Sequence, residues 1–196
     1  MTSAYYAANA CVGGFGLADR VVGYCGFAPG SRLADIGCGN CETANRLAVK
    51  YGLYFSCVDI SPGVAPKALD GRVKFFRAPA KELPFADSTF DGVMFECSAS
   101  SMDDPGAAFR EARRILSPGG YLAVSDFSPW LEAISDAGFR TVSVHEATGA
   151  VLEFWGQTIL DYGAEEASRR LGFDAKRRSL ERLRYFLVIA RREGEF

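Results

Sequence analysis

Histidine is nearly absent from this chain: His145 is the only one in 196 residues. An imidazole general base would therefore have to be that residue. Long apolar runs are missing too, and nothing approaches the ~18 residues that span a bilayer. The opening stretch MTSAYYAANACVGG lacks the basic start and apolar block of a secretory signal, so a cytoplasmic protein with no membrane partner is expected. The formal net charge is only −2, which gives no general case for a nucleic-acid partner. There is no internal repeat, low-complexity tract or domain-splitting linker. The six cysteines do not sit in a small secreted scaffold, so a disulfide framework is not expected. Cys25 and Cys57 lie in apolar segments and read as core residues.

What is present is an alternation of strands and helices. GLADRVVGYCGF has apolar residues at helical spacing and ends at Gly26. SRLADIG reads as a strand, CETANRLAVKYG as a helix stopped by Gly52, and LYFSCVDIS as a second strand. A helix is expected from Ser61-Pro62 to about Leu69, and RVKFFRA follows as the third strand. FDGVMFEC is the fourth strand, DPGAAFREARRIL a helix ending at SPGG, and YLAVSDF the fifth strand. PWLEAISDAGF is a helix, RTVSVHEA a sixth strand, and AVLEFWGQTILDYGAEEASRRLG a long helix. LRYFLVIARR is the last strand, expected at a sheet edge. This order predicts an α/β fold with a mostly parallel sheet covered on both faces. The first strand and the loop after it are expected at the centre, where the strand order reverses and ligands bind.

That loop is DIGCGNCE. Gly37 and Gly39 bring backbone close to a ligand without a Cβ in the way. A dinucleotide loop has G-x-G-x-x-G, but position 42 is Glu42, which would repel a pyrophosphate at a helix start. The G-K-[ST] of a phosphate-cradling loop is also absent. A ligand with a nucleoside and an amino-acid tail but no phosphate remains, and S-adenosylmethionine has that make-up. Asp59 ends the second strand about twenty residues on, where a carboxylate can accept hydrogen bonds from both ribose hydroxyls. In DISPG the same aspartate can also serve as a turn or cap residue.

Four segments, LADIGCGNC, VDISP, ELPFADSTFDGVMF and REARRILSPGGYLAVSDF, make the chain resemble a class I S-adenosylmethionine-dependent methyltransferase of the small-molecule branch, which includes quinone-biosynthesis and arsenite methyltransferases. The resemblance runs from about Ser31 to Phe127. It implies a Rossmann-like three-layer sandwich with a seven-stranded, mostly parallel sheet and an antiparallel last strand. It implies a single domain over residues 1–196, with an arm (1–16), a cofactor-binding half (17–127) and a C-terminal half with a basic tail (128–196). It also implies roles. Asp35, Gly37 and Gly39 would border the methionine end of the cofactor, Asp59 would take the ribose, and Ile60 would pack on adenine. Ala78, Pro79 and Ala80 would edge the adenine ring, while Glu96, Cys97 and Ser98 would lie under the sulfonium. S-adenosylhomocysteine would be the product.

Three departures stand out. The third loop glycine is Cys41, a small replacement expected to be mild. Pro79 stands where relatives often carry an aspartate for the adenine amino group, a loss of about 0.5–1.5 kcal/mol. The chain passes from SDF almost directly into SPWLEAISDAGF, without the usual substrate-covering insertion, so the acceptor site is open or is covered by residues 1–16, with Tyr5, Tyr6 and Phe15 as candidates, or by another subunit. The Asn/Asp-Pro-Pro-aromatic tetrad of amino-directed methyltransferases is absent after the fourth strand, where the chain reads FECSAS.

No catalytic residue is assigned; His145 and Cys97 are the candidates. A general base at His145 is weighed against a surface histidine, and a soft acceptor at Cys97, with Cys11, against simple packing. Two other functions stay open: a catalytically silent methyltransferase-fold binding module, and a redox or metal-handling protein using Cys38 and Cys41. The second pair lacks the other two ligands of a zinc site, and no metal is assigned. Between Arg169 and Arg192, nine basic residues face only Asp174 and Glu181, a solvated surface or a docking patch. Phe154, Trp155, Ile159 and Leu160 are core residues or the seam of a homodimer.

Overall fold

In the computed structural model, residues 14–61, 70–166 and 183–194 are described. The helix expected at 62–69 and most of the basic tail lie outside them. The first helix is α1 (Gly14–Cys25), which buries Leu17, Ala18, Val21, Val22 and Cys25 as one apolar stripe. Strand β1 (Arg32–Ile36) leads through the glycine loop into α2 (Glu42–Tyr51). Gly52 ends α2 in the left-handed conformation, with its amide bonded to the Ala48 carbonyl. Strands β2 (Tyr54–Asp59), β3 (Val73–Arg77) and β4 (Phe90–Glu96) follow. Helix α3 (Pro105–Ile115) starts with Pro105 in its first turn, and the Asp104 side chain accepts the Ala107 amide at 2.8 Å.

Strand β5 (Leu116–Asp126) begins earlier than the sequence predicts. Phe90 pairs with Leu116 and Gly92 with Tyr121, so SPGG is a bulge inside the strand rather than a connection before it. Helix α4 (Leu131–Asp136), strand β6 (Phe139–Glu146), helix α5 (Thr148–Tyr162) and strand β7 (Phe186–Arg192) complete the described elements.

The seven strands run in the order β3-β2-β1-β4-β5-β7-β6. Parallel pairing joins β3 through β5, and β7 is antiparallel to both β5 and β6. The expected edge position of the last strand is therefore wrong. β7 lies between β5 and β6 because Leu187, Val188, Ile189 and Ala190 are all buried, as an interior strand with both faces covered requires. β6 takes the edge, with Val142 and Val144 exposed. One apolar layer combines α1, α2 and α5 with Leu33, Phe55, Cys57 and Ile189. The other combines α3 and α4 with Ala34, Ile36, Phe95 and Val124. The order reverses between β1 and β4, which opens a crevice at their carboxyl ends.

The bulge sets a limit on substitution. A Cβ on Gly120 would lie 2.9 Å from the Ser117 carbonyl oxygen and 3.0 Å from that of Asp91, main-chain atoms of the bulge that can give way only by a backbone shift. Gly120→Ala should cost about 1–3 kcal/mol. The check is urea unfolding, in which the midpoint falls while the slope is unchanged.

Candidate functional site

The glycine loop is held on top of β2 by three backbone amides. Gly37 N–H and Cys38 N–H donate to the Val58 carbonyl at 2.7 and 3.1 Å, and Gly39 N–H donates to Asp59 Oδ2 at 3.0 Å. The other Asp59 oxygen accepts Ser61 N–H at 2.8 Å. Asp59 is thus a turn residue and a loop anchor at once, and each oxygen keeps lone-pair capacity for a further donor. Gly37 (φ +75°) presses on the end of β4. A Cβ there would fall 2.4 Å from Ser98 Cβ, and Ser98 Oγ donates to the Ile36 carbonyl at 2.7 Å. Gly39 (φ +53°) faces open space.

Cys41 occupies the third glycine position at φ +61°, fully buried. The replacement is not mild for the backbone, because a Cβ in that conformation costs about 1–2 kcal/mol. Its sulfur lies 3.6 Å from that of Cys38, and the Cys57 sulfur closes a group of three within 4.8 Å. The neighbouring Cys38 and Cys57 thiols hold Cys41 down to about 5.

Carboxylates dominate the crevice floor. Asp35 is 3% exposed, and its Oδ1 has no hydrogen-bond partner among the described residues. Burial pushes its carboxyl well above the usual range, and the charges of Glu96, Cys41 and Asp59 push the same way. A floor of this sign suits a cationic ligand and repels a phosphate. Ile60, beside Asp59, is 64% exposed, which is unusual for an isoleucine and leaves an apolar face free at the crevice rim. Ala78, Pro79 and Ala80 are half-buried just after β3.

Cys97 follows β4 at φ +51°, and its amide donates to the Ser125 carbonyl at 2.6 Å. Burial raises its thiol far above the ordinary value and keeps it neutral. Asp126, fully buried at the end of β5, is a residue that sequence reasoning missed. It accepts Ser100 N–H at 2.9 Å, the Ser100 hydroxyl and Phe127 N–H, and so fixes the turn at Ala99–Ser101 beside the crevice. An acid closing a buried apolar strand was the available signal.

His145 is not brought to this place. It stacks on Tyr24 of α1 with ring centroids 4.4 Å apart and meets Ser143 Oγ at 3.0 Å. β6 is three strands from β4, about 14 Å at normal strand spacing. Phe15 lies within α1 under the Arg46 guanidinium, 4.6 Å from its centroid, while Tyr5, Tyr6 and Cys11 are outside the described residues. Of the basic run, Arg191 and Arg192 donate to backbone carbonyls of Gly119 and Arg113, and Arg184 lies 3.6 Å from Glu146. Trp155 is buried and Phe154 packs against the core, whereas Ile159 and Leu160 are exposed. No helix among the described residues is long and apolar enough to cross a membrane.

Residues 34–124 match the profile of a methyltransferase domain. They hold the glycine loop, Asp59, the crevice floor and the Ser98 contact. Over these residues, somewhat under half of its length, the chain is similar to methyltransferase domains. The chain is 40% identical over 119 residues to 27-O-demethylrifamycin SV methyltransferase of Amycolatopsis mediterranei, covering 57% of this chain and 44% of that protein. The chain spans about half the length of the leading curated relatives it matches. Among solved structures, the 4+2 cyclase SpnF superposes with a TM-score of 0.74 at 23% identity, covering 92% of this chain and 82% of that one. Phosphoethanolamine N-methyltransferase 2 of Haemonchus contortus, in complex with S-adenosylmethionine, gives a TM-score of 0.74 at 20% identity, covering 92% and 52%. At such identities the likeness shows a shared fold.

Asp35 makes the cofactor-free domain sensitive to pH. Its carboxyl holds a proton more tightly folded than unfolded, so stability is complete at low pH and falls as pH climbs above the unfolded value of ~3.9. Asp35→Asn carries no ionisable group. Thermal unfolding of both chains from about pH 4 to pH 7 should show the variant gaining steadily on the natural sequence; a constant difference would refute the assignment.

Proposed function

We propose that this chain transfers a methyl group from S-adenosylmethionine to a small-molecule acceptor, by in-line displacement, releasing S-adenosylhomocysteine. The observation that carries this reading is the bond from Gly39 N–H to Asp59 Oδ2, which ties the cofactor-type loop to the carboxylate at the ribose position. The residues fit the group. Asp59 keeps lone pairs for the ribose hydroxyls, and exposed Ile60 offers an apolar surface to adenine, edged by Ala78, Pro79 and Ala80. Asp35, Gly37 and Gly39 would border the methionine end, and an ammonium there would give buried Asp35 Oδ1 the donor it lacks. Glu96, Cys97 and Ser98 would lie under the sulfonium.

The bound cofactor supplies a methyl group already activated on a positively charged sulfur. The chain's contribution is then mainly positioning and charge. Three carboxylates, Asp35, Asp59 and Glu96, favour a cationic donor, and in-line transfer gains chiefly from alignment. Cys97 stays a neutral thiol, so it does not compete with the acceptor for the methyl group. His145, against Tyr24, is too remote to serve as base for an acceptor at β4. The reading includes a cytoplasmic location and no nucleic-acid partner, in keeping with a formal net charge of −2; of the tail's basic residues, Arg184, Arg191 and Arg192 make contacts within the chain. Ile159 and Leu160 on α5 are where two copies would meet.

A second reading is a binding module without methyl transfer. The fold shared with SpnF, which is named a cyclase, shows that this fold does not by itself entail methyl transfer. Calorimetry and product analysis separate the two. The natural chain should bind both S-adenosylmethionine and S-adenosylhomocysteine, and Asp59→Ala should weaken both at least ~10-fold, as loss of charge-assisted hydrogen bonds entails. Undiminished affinity in the variant, or no binding to either compound, would end the proposal. Binding without S-adenosylhomocysteine formation across phenol, alcohol and amine acceptors would favour the second reading.

A further inference from the structure

The three sulfurs of Cys38, Cys41 and Cys57 come from two separate segments of chain. The glycine loop contributes the first two, and β2 contributes the third. The loop lies over β2 because Gly37 and Cys38 bond to Val58 and Gly39 bonds to Asp59, so Cys57, two residues before Asp59, points at the underside of the loop. All three sulfurs fall within 4.8 Å of one another, with Cys38 and Cys41 at 3.6 Å. Cys41 and Cys57 are fully buried and Cys38 is partly exposed, so the group has a closed base and one side open to solvent.

We propose that Cys38, Cys41 and Cys57 form a three-sulfur site for a soft, three-coordinate metal ion, Cu(I). A metal–sulfur distance of ~2.3 Å places three sulfurs about 4.0 Å apart around one ion in a trigonal plane. The spacing present, 3.6 Å for one pair and no more than 4.8 Å for the others, is within ~1 Å of this, a shift that side-chain rotation can supply. Sulfur-only donors select soft ions. Zinc in a structural site takes four protein ligands, and no fourth histidine, cysteine or carboxylate joins this group among the described residues. Each ligand still protonated releases its proton to solvent as it binds the ion, and no electron is transferred. The site does not depend on the methyl-transfer reading, since three sulfurs within 4.8 Å of one another can bind an ion whether or not a cofactor binds the loop.

Under anaerobic conditions, the full chain with all thiols reduced is titrated with Cu(I) from a competing chelator. One ion per chain should be withdrawn, and sulfur-edge and copper-edge X-ray absorption should give a shell of three sulfurs. Cys57→Ala and Cys41→Gly should each weaken retention by at least tenfold. Cys41→Gly puts glycine at a left-handed position, so it should fold, which circular dichroism verifies. Cys25→Ala, in α1 and outside the group, should retain the ion. A two-sulfur shell, retention undiminished in both cluster variants, or zinc held more tightly than Cu(I) would overturn the assignment.

Discussion

Asp59 accepts the Gly39 amide at 3.0 Å across a gap of twenty residues, and the rest of the site follows from that bond. A glycine loop after a strand is otherwise free to lie in several ways. Anchored at Asp59, it covers the end of β2, turns Gly37 against Ser98 of the β4 side, and starts α2 over the same crevice. Both carboxylate oxygens are used by backbone amides, so the anchor is also part of the turn after β2. Turn formation and ligand binding are therefore one arrangement rather than alternatives for this residue.

The anchored loop has a cost, and it falls on Cys41. The bend that brings the loop back to β2 requires a left-handed residue before α2, and the chain places a cysteine there. The strain coincides with burial of its sulfur beside two others. The electrostatics follow a similar logic. Asp35, Glu96 and Asp59 converge because three adjacent parallel strands end at the crevice, and their mutual repulsion is relieved only by protons or by a cation.

Much of the fold was legible in the sequence because hydrophobic period and glycine position are local signals. Gly52 ending α2, Asp104-Pro105 opening α3 and the alternation in β6 all act within a few residues of themselves. The misplacement of β7 is of another kind. Its run of buried residues was a fair sign of an interior strand, yet its place between β5 and β6 depends on long-range antiparallel pairing of residues forty to seventy positions apart. The bulge at SPGG escaped for a related reason, since it exists only relative to the register of β4.

By itself the sequence determined the element order, the glycine loop and the acidic residue that follows it, because each is written in residues near one another. The tertiary structure alone decided that Cys57 meets Cys38 and Cys41, that Asp126 secures the turn at Ala99–Ser101, and that His145 stands three strands from β4. Those outcomes are set by strand order and register, which bring together segments that share no local pattern.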